Sequence, residues 1–204
     1  MITIVDYGLG NVKAFANAYK KLGIPTKIAK QADDLKKATK IILPGVGAFY
    51  HAIHRLEKSG MRETLDEIVL NHGLPVLGIC VGMQMLARSS EEGKLAGLGW
   101  IDAEVKRFDL SSFTYFACVP HMGWNDIKPV KGNGLLQEID NNARFYFLHS
   151  YYVTCKKRED VIAVTDYGGE FACAVNSGNI FGVQFHPEKS HQWGVQLLKN
   201  FAEL

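Results

Sequence analysis

The chain has no apolar run near the roughly 20 residues that a membrane-spanning helix requires, so no such helix is expected. It also lacks a strong charge of one sign. The densest basic stretch is "KKR" at Lys156 to Arg158, and 23 Lys and Arg against 21 Asp and Glu leave a formal net charge of +2. That is too slight for a nucleic-acid footprint. Cysteine is sparse: Cys80, Cys118, Cys155 and Cys173 form no C-x-x-C pair, which fits neither a zinc site nor a disulfide framework. No metal-ligand cluster or organic cofactor motif is evident. Internal repeats, low-complexity segments and Pro/Gly/Ser-rich linkers are absent too, and "MITIVDYG" reads as a strand with no basic n-region or cleavage site. These absences lead us to expect one domain over residues 1–204, in the cytoplasm, with its thiols free.

What remains is an ordinary globular composition, 47% hydrophobic and 22% charged, in a chain of 204 residues that is long enough to bury a substantial core. "ITIVDYG" is a β-branched run ending in glycine. Val12, Phe15, Ala16 and Tyr19 then recur at helical spacing. The alternation repeats: "TKIAK" and "KIILPG" as strands, a helical stretch through "HAIHRLEKSGMRETLDEIVLNHG" broken near Gly60, then "PVLGIC" as strand and "GMQMLARSS" as helix. Strands alternating with helices predict a parallel sheet covered on both faces. From about Trp100 the texture becomes β-rich, with "WIDAEVKRF", "YFACVPHMGWNDI", "ARFYFLHSYYVT", "VIAVTDYG" and "FACAVNSGNIFGVQF" as strand-like segments, and "QWGVQLLKNFAEL" closes the chain as a helix. The expected fold is α/β, a mixed central sheet with antiparallel additions in the C-terminal half.

Cys80 sits between Gly78 and Gly82 in "VLGICVGMQML", where an apolar strand turns into a helix. A thiol attacks as its thiolate, a helix N-terminus favours that anion, and flanking glycines permit the sharp turn that presents the side chain. The ordinary role of a free cysteine is a small buried core residue. For Cys118, Cys155 and Cys173, which lie in strand-like runs, that ordinary role is the expectation.

A thiol nucleophile needs a base, and the base an orienting partner. "GVQFHPEKS" offers His186 at the end of an apolar strand and Glu188 two positions on. "LPGVGAF" adds a glycine-rich turn, with Gly45 and Gly47, whose backbone amides can face a developing oxyanion, although an ordinary tight turn has the same composition. His51, His54 and His72 have polar helical or loop surroundings and are read as surface residues. His121 and His149 stand in unusual runs, "PHMGWN" and "LHSYY", and Trp124 and Tyr151 beside them read equally well as core aromatics.

Together "GICVGMQML", "GVQFHPEKS" and "LPGVGAF" resemble the class I (triad) glutamine amidotransferases. With "VDYGLGN", "SSEE", "GLGW", "VPHMGWN" and "FYFLHSY" in the same order over the full chain, they are most similar to the glutaminase subunits of imidazole glycerol phosphate synthase. The resemblance implies a flavodoxin-like fold and assigns Cys80 as nucleophile, His186 as base and then acid, and Glu188 as the orienting carboxylate. It implies oxyanion amides at Gly47 and Val81, with a reorientation of the "PGVG" strand as one way of bringing them to bear. It places glutamine against Gln84, Glu92, Ser150 and Tyr151, and puts Asn11, Trp124 and Lys189 at the face that docks a (β/α)8-barrel synthase subunit, the acceptor of the ammonia.

Val81 stands where the family usually has Leu, and His191 where Gln is common. The runs after "GLGW" and before "VPH" also depart from the histidine-pathway pattern. These changes resemble a paralogous branch that feeds ammonia to a sugar-modifying amidotransferase in surface-polysaccharide synthesis. Two further readings are a non-catalytic scaffold, against which the intact Cys80, His186 and Glu188 argue, and a cysteine hydrolase of another substrate, against which Gln84 and the His-Pro-Glu run argue.

Overall fold

A computed structural model describes residues 1–109, 111, 118–140 and 142–204. The first half is a run of strand–helix units: β1 (Ile2–Val5), α1 (Val12–Lys21), β2 (Thr26–Ala29), β3 (Lys40–Gly45), α2 (Phe49–Lys58), α3 (Arg62–Asp66), β4 (Val76–Cys80) and α4 (Val81–Met85). The second half supplies β5 (Ser89–Ser90), β6 (Ala103–Arg107), β7 (His121–Asp126), β8 (Lys128–Pro129), β9 (Arg144–His149), β10 (Tyr151–Cys155), β11 (Val161–Asp166), β12 (Glu170–Ser177), β13 (Ile180–Val183) and α5 (His191–Glu203).

The central sheet runs β2-β1-β3-β4-β13-β12-β10-β6-β5, with β11 on β12 and β8 on β11. From β2 to β13 every pairing is parallel, and β12 reverses the direction. A separate antiparallel ribbon pairs β7 with β9. The step from β1 to β2 moves one way along the sheet and the step from β3 to β4 the other, so right-handed crossovers put α1 and α2 on opposite faces. α5 packs on α1, and α2 packs on α4.

After Lys40 at its start, β3 is apolar, as is all of β4, because both of their faces are covered: Ile41, Ile42, Leu43, Val76 and Leu77 are fully buried. α1 buries Val12, Phe15 and Tyr19 and turns its lysines outward, the stripe that helical spacing dictates. Gly60, at φ +70°, separates α2 from α3, where the sequence predicted the break.

Three expectations are corrected. The helix after Cys80 is only five residues long, because the Arg88 N–H is taken by the Ala103 carbonyl and Ser89–Ser90 pairs with β6. Cys118 is exposed and Cys155 half-buried, so of the three secondary cysteines only Cys173 is a core residue. Trp124 is 39% exposed and is not a core aromatic. The part of the expected strand "YFACVPHMGWNDI" at 115–117 lies outside the described residues. Among the described residues no helix is long and apolar enough to cross a membrane.

Candidate active site

β4 carries the chain through Val76 to Ile79 into Cys80, whose backbone takes φ +56° and ψ −114°. A residue with a Cβ occupies such a conformation only where its surroundings impose it. Here the imposition comes from close packing of α4 on β3: a Cβ on Gly82 would lie 2.0 Å from the Leu43 carbonyl oxygen, and one on Gly78 would lie 2.7 Å from the Gly82 oxygen. Only glycine lets the first turn of α4 approach that closely. The Cys80 thiol, on a residue 3% exposed, donates a long hydrogen bond to the Leu148 carbonyl at 3.8 Å and receives one from Gln184 Nε2 at 3.9 Å.

β13 lies beside β4 in parallel register, Val183 opposite Ile79. The three residues beyond it are steered by backbone bonds from Gln184 N–H to the Cys173 carbonyl and from His186 N–H to the Tyr146 carbonyl. Ser190 locks the following turn, its hydroxyl donating to the His186 carbonyl at 2.6 Å and accepting from the Tyr146 N–H at 3.0 Å. His186 Nδ1 is 3.0 Å from Glu188 Oε1, and as a carboxylate only accepts, Nδ1 carries the hydrogen and Nε2 is left for the thiol. Glu188 Oε2 is buried and has no hydrogen-bond partner among the described residues.

Burial alone would depress the His186 imidazole. Hydrogen bonds to Cys80 and Glu188, with the negative charge both can carry, outweigh it and push the pKa up to about 10. The ring is therefore held ready to keep a proton beside sulfur. Tyr7 packs behind this centre, its hydroxyl donating to the Pro44 carbonyl at 2.7 Å, and its pKa is raised by burial and by Cys80.

Cys80 and His186 open on a cavity of about 320 Å³ lined also by Val46, Gly47, Val81, Gln84, Glu92, Pro120, Leu148, His149, Ser150, Tyr151 and Lys189. The expected substrate residues Gln84, Glu92, Ser150 and Tyr151 are thus brought together. Gln84 is buried and donates to the Tyr151 carbonyl at 3.0 Å and to Gln184 Oε1 at 3.1 Å. Glu92 accepts from the Phe49 N–H at 2.7 Å, which ties its carboxylate to the end of the "PGVGAF" turn. Gly47, at φ +83°, and Val81, the first residue of α4, both border the cavity, the positions expected of oxyanion amides.

Of the residues expected at a docking face, Lys189 lies at the cavity rim, its ammonium 5.4 Å from the centre of the Tyr146 ring. Trp124 is stacked on His191 at 5.0 Å. Asn11 is exposed and caps α1, its carbonyl accepting from the Ala14 N–H. Val46 and Leu148, which line the cavity, are exposed apolar side chains, and so are Met122, the register partner of Leu148, and Trp124 two residues further along β7. Among the described residues no group of three or more His, Cys, Asp or Glu is placed to hold a metal ion.

Sequence reasoning missed Gln184 and Ser190. The signal for Gln184 was a polar residue inside the apolar run "FGVQF", since a buried amide in a strand needs a partner.

The family model for glutamine amidotransferase class-I matches residues 3–204. The chain is 57% identical to the imidazole glycerol phosphate synthase subunit HisH of Bdellovibrio bacteriovorus and 54% identical to that of Leptospira interrogans, over the full length of each. A solved structure described as a glutamine amidotransferase superposes with a TM-score of 0.75 at 19% identity, covering 99% of this chain and 97% of its own, a likeness of fold.

Proposed function

The chain belongs to the class-I glutamine amidotransferase family, and from that premise we propose that it is the glutaminase subunit of an imidazole glycerol phosphate synthase in histidine biosynthesis. The observation that carries the chemistry is Cys80 held at positive φ beside a buried His186–Glu188 pair, in a cavity that also presents Gln84 and Glu92.

In this mechanism the Cys80 thiolate attacks the side-chain amide carbon of glutamine. The oxyanion that forms is received by the amides of Gly47 and Val81. His186 gives its proton to the departing nitrogen, and ammonia leaves as the glutamyl thioester forms. His186, now neutral, takes a proton from water, whose oxygen attacks the thioester; glutamate is released and the thiol restored. Glu188 keeps the imidazole in the Nδ1–H tautomer through both halves. Glu92 pairs with the ammonium of glutamine, and the backbone at Ser150 and Tyr151 receives its carboxylate.

Ammonia released into water is protonated and lost as a nucleophile, so the reaction is useful only against an acceptor. The exposed Met122, Trp124, Leu148 and Val46 beside the cavity are the surface on which a (β/α)8-barrel synthase subunit docks, with Asn11 and Lys189 at its margin. Full-length relatives at 57% and 54% identity, both bearing the synthase subunit's name, favour this acceptor over a sugar-modifying one. The test is glutamate release by the purified chain, alone and with the synthase subunit and its nucleotide ligand. Strong stimulation supports the assignment; glutamine hydrolysis indifferent to that subunit counts against it.

A further inference from the structure

Two buried histidines outside the triad form a second polar structure beside the pocket, and its interpretation rests on the glutaminase reading above. His121 on β7 and His149 on β9 are register partners across the ribbon, and are 3% and 6% exposed. His121 Nδ1 and His149 Nε2 lie 3.1 Å apart.

The donors along this line are fixed from both ends. Asn125 Nδ2 donates to the Asp166 carbonyl at 2.8 Å and Asn125 Oδ1 accepts from the Asp126 N–H at 3.0 Å, which settles the orientation of the amide. The same Nδ2 is 3.4 Å from His121 Nε2, so that ring nitrogen accepts. His121 Nδ1–H then donates to His149 Nε2, and His149 Nδ1–H donates to the Tyr151 carbonyl at 2.8 Å. A carbonyl only accepts, so the far end demands the same tautomers as the near end.

The Tyr151 carbonyl also accepts from Gln84 at 3.0 Å; Gln84 donates on to Gln184, and Gln184 Nε2 reaches Cys80 Sγ at 3.9 Å. Phe147 and Tyr167 stack on His121 at 4.8 and 4.0 Å and hold its plane. A second proton on either ring would set N–H against N–H. Burial prevents this, lowering His121 to about 4 and His149 to about 3, with the charges of His121 and His186 adding to the effect on His149.

We propose that His121 and His149 are positioning residues for glutamine: an uncharged, one-directional hydrogen-bond relay that fixes the Tyr151 carbonyl, and through it Gln84 and Gln184, against Cys80.

His121→Phe keeps the ring stack and removes both hydrogen bonds, whereas His121→Asn returns a donor near the Nδ1 position. In the complex with the synthase subunit, His121→Phe should raise KM for glutamine about tenfold, the worth of roughly one buried hydrogen bond. Alkylation of Cys80 by iodoacetamide, which needs no glutamine pocket, should stay within about twofold of the parent, and His121→Asn should recover most of the lost affinity. An unchanged KM in His121→Phe, or an equal rise in both variants, overturns the relay. Absence of glutamine hydrolysis in the parent complex overturns the glutaminase reading itself, and the relay's role with it. Imidazole nitrogen NMR on the unsubstituted chain needs no variant. Nδ1–H tautomers on both rings, without titration between about pH 5 and 8, are expected, and an Nε2–H tautomer or a midpoint near about 6.5 on either ring overturns the proposal.

Discussion

Cys80 and His186 are far apart in sequence and close in space because β4 and β13 are neighbours in the sheet, in parallel register with Val183 opposite Ile79. Both strands end at the same edge, so the elbow cysteine and the histidine emerge side by side. Ligands of α/β sheets bind at that edge for the same reason. The chemistry follows from this placement.

Replacing Glu188 by Gln gives the Nδ1–H of His186 a neutral amide oxygen to donate to in place of a carboxylate, and removes one of the two groups that raise the pKa of the imidazole. The variant should lose on the order of 100-fold or more in kcat for glutamine hydrolysis, and NMR titration should find His186 below the parent value of about 10. A variant with parental kcat would show that the carboxylate does not orient the base.

Glu92→Gln removes the charge proposed to pair with the ammonium of glutamine and weakens the bond from the Phe49 N–H. We expect KM to rise about 10- to 100-fold with kcat falling much less, since a charged contact made equally in ground and transition states is worth about 1.5–3 kcal/mol. Steady-state kinetics in the complex measures the split. A fall in kcat at constant KM would place Glu92 in the chemical step instead.

Trp124→Ala should weaken docking of the synthase subunit by about 2 kcal/mol, roughly 30-fold, the range for an aromatic anchor. KM for glutamine should change far less. Calorimetric titration of the complex reads the first quantity and kinetics at saturating partner the second.

The neutral histidine pair makes stability depend on pH with a definite sign. His121 falls from 6.5 to about 4 on folding, so the unfolded chain binds more protons between these values. The stabilisation is present in full above pH 6.5 and is lost as pH falls through about 4. It amounts to on the order of 3 kcal/mol for His121 alone. Urea unfolding at pH 7 and pH 4.5 should show a smaller acid loss in His121→Phe than in the parent; equal losses would refute the buried neutral state.

Much of this was legible in the sequence, and the reasons are physical. The elbow was readable because glycine two places before and two places after a cysteine answers a local steric demand, which the 2.0 Å approach of a Gly82 Cβ to Leu43 makes explicit. The parallel half-sheet was readable from strands buried on both faces. By contrast, the length of α4 depended on capture of Ser89–Ser90 by β6, a pairing that no local pattern announces. Gln184, Ser190 and the His121–His149 pair were hidden for the same reason: each has a deciding partner 28 to 104 positions away. Their value lies in tertiary hydrogen bonds that composition cannot show.

The central claim is that Cys80 forms a covalent glutamyl intermediate. The most direct measurement is acid quench of the synthase complex during glutamine turnover, followed by mass analysis of the Cys80 peptide. A glutamyl thioester on Cys80, absent in Cys80→Ala together with all glutamate release, is the predicted result. Turnover that persists in Cys80→Ala, or an adduct on another residue, would contradict it.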